Sequence, residues 1–348
     1  MKERIRAVIQ GREVDRVPFL QYSNCAGPDE EVRRVLGNRI GILYWFGVCR
    51  IDYPNCRTEV QEFEKAGRKC LHTTIHTPAG SMFEKRRFEP ALGSSSVYKH
   101  FVEEPSDYDV LTAYLNDGVV YDNTENYEQI EADIGGSGHL LPSVQRTPYQ
   151  QLWVQWTGLD HLSWHLADCP ERVASVVEIL NKRAMQTFEI AYRSPVPFVD
   201  FPDNITAPAI GVSRFEKYCL PLYNRLAEML ESRGAPVFVH MDGDLKPLWT
   251  AIGGSRIGGI ESLSPPPDND TSVGDVVQMW PEKRMFVNFP SSVHLQPPEV
   301  VRAATEKILE EGGHTGRLAI QISENMPPDR WRTTLPIIAD AIEAFGKP

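Results

Sequence analysis

Pro236-Val237-Phe238-Val239-His240-Met241-Asp242-Gly243-Asp244-Leu245 opens as a short apolar run and then delivers three ionisable side chains within five positions. That is the profile of a buried strand ending in a chemical site, with Gly243 placed where the backbone has to turn. In an extended segment alternate side chains share a face, so His240, Asp242 and Asp244 point the same way for as long as strand geometry persists. An imidazole and a carboxylate two residues apart can grip one metal ion. The same residues can also be read as a histidine capping a core strand and two aspartates capping the helix that follows, so the surrounding chain has to decide.

Downstream, strand and helix alternate with connections of a few residues. Helix is predicted over 245–252, strand over 257–260 with Glu261 at its end, helix over 272–280, strand over 284–289, helix over 297–311, strand over 318–323 ending in Glu324, and helix over 328–345. Just upstream, 196–201 reads as a strand ending in Asp203-Asn204. Ser213-Arg214-Phe215-Glu216 then reads as a capping box opening a helix that buries Phe215, Cys219, Leu222, Leu226 and Met229. Short connections of this kind signal parallel β/α units.

The first half is less regular. An amphipathic helix lies within 1–13, and Val17-Pro18-Phe19-Leu20 begins a strand that ends near Tyr22-Ser23-Asn24. A second strand falls within 43–51. Residues 58–90 read as a β-hairpin around Thr77-Pro78-Ala79-Gly80, expected over the mouth of the fold, with His72 and His76 lining a pocket lid. An acidic stretch with helical patches covers 103–135, a short strand at 140–144 ends at Gln145-Arg146, and a long helix runs over 170–191. His161 and His165 share a helix face, but their aromatic neighbours favour packing over metal binding.

The strands near residues 17, 46, 140, 196, 236, 257, 284 and 317 make eight. Eight parallel strands with intervening helices close into a (β/α)8 barrel, and chemistry then sits at the carboxyl ends of the strands. With 348 residues the chain is expected to be a single barrel domain, 1–348, with 58–90 as a hairpin insertion. Its 36 basic against 47 acidic residues, a net charge of -11, and the lack of a basic stretch interleaved with aromatics argue against nucleic acid. No apolar run approaches the roughly 20 residues of a membrane span. Six scattered cysteines with no CxxC pair, and an N-terminus without a signal-peptide core, point to a reduced, cytoplasmic protein.

Arg4-Ile5-Arg6-Ala7-Val8, Gly11 through Pro18, Thr77-Pro78-Ala79-Gly80, the 236–245 stretch, and Ile260-Glu261 ahead of Pro265-Pro266-Pro267 together resemble the uroporphyrinogen decarboxylase superfamily over nearly the whole chain. The resemblance implies a (β/α)8 barrel and two broad groups: the decarboxylase itself, and zinc-dependent methyltransferases that exchange methyl groups with corrinoid proteins. The decarboxylase group carries a Met-Arg-Gln-Ala-Gly-Arg segment whose arginines bind substrate carboxylates. Here the equivalent Leu20 to Gly27 has no arginine, and an octa-acidic porphyrinogen would bury unpaired charge. The methyltransferase group binds zinc through His-x-Cys after the fifth strand and a Cys after the eighth. By that alignment the ligands here are His240, Asp242 and Glu324, with both thiolates replaced by carboxylates. Zinc accepts such donors, and oxygen ligands also suit harder divalent ions.

The expectation is therefore a methyltransferase component that demethylates a small methylated compound, an O-methyl ether foremost, and passes the methyl group to a corrinoid protein carrying cobalamin. Alkoxides and phenoxides leave poorly, so a metal on His240, Asp242 and Glu324 or a proton from Asp244, Glu261 or Asp203 has to stabilise the departing oxygen. Tyr22, Asn24, Arg146, Asn204 and His76 are assigned to substrate binding. The alternative is a decarboxylase or lyase in the same pocket, with Asp203 or Asp242 as proton donor and Arg146 as carboxylate anchor. Oligomeric state is left open, with a homodimer admitted.

Overall fold

The computed structural model describes residues 1–90 and 94–346. The chain packs as two units, one of residues 1–47, 124–144 and 194–348, the other of 48–123 and 145–193.

The first unit contains a closed barrel of eight parallel strands. They are β1 (Phe19–Tyr22), β2 (Gly41–Gly47), β3 (Gly138–Ser143), β4 (Val199–Phe201), β5 (Val237–Val239), β6 (Gly259–Leu263), β7 (Arg284–Asn288) and β8 (Leu318–Ile322). Each pairs with its neighbours in sequence order, and β8 closes on β1 through Phe19↔Ile320 and Gln21↔Ile322. All eight predicted strands are present, with shifted bounds at β2, which ends at Gly47, and β6, which runs on to Leu263.

Alternation along the strands sorts the barrel interior into two levels. Leu20, Leu43, Leu141, Phe238, Phe286 and Ala319, one from each of six strands, and Phe198 just ahead of β4 form a single buried cluster that Tyr22 also joins. Ile5, Val8 and Ile9 of the helix Lys2–Gln10 join it, so the amphipathic N-terminal helix seals this end of the barrel. Phe238 stands edge-on to both Phe198 and Phe286, at 5.7 and 5.5 Å between ring centroids. Two residues further along from these come Tyr22, Trp45, Ser143, Asp200, His240, Asn288 and Gln321, with Glu261 on β6 beside them. With a period of two, these face the same interior, and this level is polar.

The second unit holds the β excursion, and it is larger than a hairpin. Arg57–Lys65, Arg68–Thr77, Gly80–Glu89 and Ser94–Lys99 make a four-stranded antiparallel sheet. Its middle hairpin turns where predicted, with Thr77 pairing Gly80 and the Ala79 N–H donating to the Thr77 hydroxyl at 3.1 Å. The outer strands escaped notice because Arg57–Lys65 carries polar residues on both faces and Ser94–Lys99 opens on three serines, leaving little apolar period to read. Cys49–Asp52, expected to prolong the second barrel strand, instead pairs antiparallel with Val119–Asp122. In the helical part of this unit, His165 is buried and 3.2 Å from the Tyr108 hydroxyl.

The expected capping box at Ser213 and Glu216 is absent. Gly211, at φ 68°, caps a helix that begins at Val212, so Ser213 already lies in its first turn. A π-turn over Phe215–Cys219 follows, then Leu220–Glu231 as α-helix. Phe215, Cys219 and Leu226 are buried as expected, while Tyr223 and Leu230 are buried in place of Leu222 and Met229. A capping box does form at Ser272, whose hydroxyl accepts from Asp275 N while Asp275 accepts from Ser272 N. Among the described residues no helix is long and apolar enough to cross a membrane.

Candidate metal centre

β5 stops at Val239, and His240 is the first residue past it. Strand-like alternation lasts one further step. His240 Nε2 stands 3.6 Å from Asp242 Oδ2 and 3.5 Å from Glu324 Oε1, and one donor atom from each of the three lies within 4.8 Å of the others. Asp244 leaves the cluster: its Oδ1 accepts from Asp270 N at 3.0 Å, while Asp270 accepts from Leu245 N at 2.8 Å. Asp244 thus ties two loops together, and the assignment of it as proton donor meets a carboxylate already employed on backbone. Gly243 is needed for a close approach, since a Cβ there would come within 2.2 Å of Thr206 Cβ.

The turn after β8 brings Glu324 to the group. Asn288, at the end of β7, accepts with Oδ1 from Ser323 N at 3.0 Å and Glu324 N at 3.3 Å, and the Cys25 thiol donates to the Glu324 carbonyl at 3.3 Å. Asp242 is steadied by Asn204, whose Nδ2 donates to Oδ2 at 3.1 Å, and by Asn269, whose Nδ2 donates to its carbonyl at 2.7 Å. Asn204, assigned to substrate, is in this structure a partner of Asp242.

On its other side His240 Nδ1 is 3.0 Å from Glu261 Oε2 and 3.3 Å from the Tyr22 hydroxyl. Glu261 is not at a strand end but in the middle of β6, almost wholly buried, where its Oε1 accepts from Tyr22 and from Gln321 Nε2. Burial, the Glu261 carboxylate and Asp200 together push the Tyr22 phenol far above its ordinary range, so it is a donor here.

The remaining assignments separate. Asp203 is fully buried and accepts from the Tyr223 hydroxyl. Asn24, at φ 60°, is exposed and engaged with the start of the helix Asp29–Leu36: its backbone N–H donates to Asp29 Oδ1 at 2.9 Å and its Oδ1 accepts from Asp29 N at 3.1 Å. The short side chain of Asn24 has folded back on its own turn. Arg146 and His76 belong to the second unit. There the Arg146 carbonyl accepts from Gln151 Nε2 at 2.7 Å, and His76 sits between Ser81 Oγ at 2.8 Å and Glu59 Oε2 at 3.3 Å on the antiparallel sheet. Sequence reasoning missed Gln321 and Asp200, both fully buried. The available signal was a polar residue inside an otherwise apolar strand, Leu318-Ala319-Ile320-Gln321-Ile322 and Val199-Asp200-Phe201.

The donor set fits a divalent cation. Nitrogen and oxygen ligands about 2.0–2.1 Å from a tetrahedral ion stand roughly 3.3 Å apart, close to the separations from His240 Nε2 to the two carboxylates. Two carboxylates and a neutral imidazole balance the charge of the ion. Burial works against a charged His240, but hydrogen bonds to Asp242, Glu261 and Glu324 outweigh it and hold the ring protonated well above the ordinary histidine range. Asp242, despite burial, is held below the usual carboxylate range by His240.

The sign of the pH dependence follows. With its folded pKa raised above the ordinary value of about 6.5, His240 stabilises the metal-free protein fully below that pH and progressively less as pH rises through the folded value. An ion on Nε2 has to displace the same proton. Affinity for zinc, measured by chelator competition, is therefore expected to rise steadily from about pH 6 to about pH 8; a flat profile would count against His240 as a ligand.

A barrel with polar groups gathered at the carboxyl ends of its strands defines the class of protein. The sequence model of the family described as Uroporphyrinogen decarboxylase (URO-D) matches residues 157–340, over half of the chain, and the chain belongs to that family. No curated protein matches it by sequence. Among solved structures it is similar to one described as a methyltransferase from Methanosarcina mazei, at 12% identity over 97% of this chain and 98% of that one, with a TM-score of 0.56. It is also similar to a B12-independent methionine synthase from Shewanella sp. W3-18-1 solved with selenomethionine, at 11% identity over 90% of this chain and 84% of that one, with a TM-score of 0.43. At these identities the likeness is one of fold.

Proposed function

We propose that the chain is a metal-assisted methyltransferase that removes a methyl group from a small methylated compound, an O-methyl ether, and passes it to a corrinoid protein. The observation that carries this reading is the convergence of His240, Asp242 and Glu324 at the strand ends, with donor atoms within 4.8 Å of one another. A bound divalent ion, zinc or a harder ion that favours oxygen, would supply Lewis-acid stabilisation of the oxygen left behind when the C–O bond breaks. The chain's own residues hold the site: Asn204 and Asn269 fix Asp242, Asn288 fixes the turn bearing Glu324, and Tyr22 and Glu261 fix the imidazole. A uroporphyrinogen substrate is disfavoured because the segment Leu20 to Gly27 offers no arginine and spends Gln21, Ser23 and Asn24 on Asp29.

The test is turnover by the purified, metal-loaded chain on aryl and alkyl methyl ethers, with and without a reduced corrinoid protein. Demethylation is expected only with the corrinoid acceptor present. Release of carbon dioxide from a carboxylated substrate, or equal rates without the acceptor, would give the site to the lyase reading.

A further inference from the structure

We infer that Glu261 is the positioning residue for His240, holding Nδ1–H so that Nε2 presents its lone pair toward Asp242 and Glu324, and that Tyr22 and Gln321 in turn hold Glu261. This rests on the metal reading above. A neutral imidazole carries one proton on two nitrogens, and a ligand nitrogen has to be the bare one. Glu261 Oε2 lies 3.0 Å from Nδ1, whereas Asp242 and Glu324 lie 3.6 and 3.5 Å from Nε2, on the other side of the ring.

The arrangement is tightly constructed. Glu261 divides its oxygens, Oε2 for the imidazole and Oε1 for Tyr22 and Gln321, so neither donor competes with the histidine for the same atom. Tyr22, Glu261 and Gln321 come from β1, β6 and β8, and His240 follows β5, so four points of the barrel wall fix one ring. All four residues are at least nine-tenths buried. In this geometry Glu261 faces away from an ion on Nε2 and acts through His240. A carboxylate on the far nitrogen fixes the tautomer and raises the basicity of the ligating one.

The experiment uses the whole chain with zinc as the probe. In the zinc-loaded protein labelled with 15N in histidine, the His240 signal, assigned by its loss in His240→Gln, is expected to show Nδ1 protonated and Nε2 ligating. Glu261→Gln should still bind one ion per chain, with affinity by chelator competition weakened about 10- to 100-fold. Tyr22→Phe, which deletes a single hydroxyl, should weaken it in the same direction by less, and serves if the Gln variant fails to fold. Zinc found on Nδ1, or wild-type affinity in a folded Glu261 or Tyr22 variant, overturns the positioning role alone. A wild-type chain that binds no zinc overturns the metal reading and this inference with it.

Discussion

Replacing His240 with alanine is expected to abolish stoichiometric metal binding and to lower demethylation by more than about 100-fold, since losing a ligand exceeds the 10- to 100-fold effect of losing an outer partner. His240 is the only nitrogen in the cluster, and both carboxylates are placed relative to its Nε2. Removing the ring leaves Asp242 and Glu324 facing one another with no group between them, and leaves the buried Glu261 with its Tyr22 and Gln321 donors but no third partner. Elemental analysis and turnover on the same preparation separate the possible outcomes. Metal retained at one ion per chain would move the site elsewhere, and full activity in thoroughly demetallated wild type would leave these residues as hydrogen-bonding groups in a metal-free pocket.

Phe238→Ala is expected to cost about 3–5 kcal/mol, the usual range for an aromatic lost from a packed interior. Phe238 is wholly buried, touches Phe198 and Phe286 edge-on, and stands so close to β6 that a Cβ on Gly259 would come within 2.3 Å of its ring. It sits two residues before His240 on the same interior face, so the void opens directly beneath the candidate centre. The measurement is the shift in urea midpoint, with Val60→Ala on the exposed sheet as a control expected to change little. A loss below about 1 kcal/mol would show that the interior collapses around the gap.

The barrel was legible because its strands are short apolar runs, and all but β2, which closes on Trp45-Phe46-Gly47, carry polar residues at or just past the end, a signal that is local. The proximity of the three candidate donors was legible in part: His240 and Asp242 are neighbours in sequence, whereas Glu324 was read as a polar strand end and grouped with them as a ligand through the family resemblance. What stayed hidden depends on pairing between distant segments. Nothing around Gln321 indicates that it will donate to Glu261 sixty positions earlier, and nothing around Asp270 indicates that it will claim Asp244. The reciprocal bonds of Asn24 with Asp29 and its φ of 60° were likewise hidden, because a polar residue after a strand gives no sign of which neighbour its side chain will meet. On the 212–231 stretch Phe215, Cys219 and Leu226 are buried as read, whereas Tyr223 and Leu230 are buried where Leu222 and Met229 were expected.

The donor cluster of one nitrogen and two carboxylates contains no sulfur. Thiolate ligands climb an oxidation ladder through sulfenic to irreversible sulfinic and sulfonic acids, and they are open to alkylation. Carboxylates and imidazole at this centre have no such chemistry, and none of the six cysteines belongs to the cluster. A divalent ion held on these three residues would therefore sit on ligands that peroxide does not carry up that ladder, which sets such a centre apart from a zinc–thiolate one.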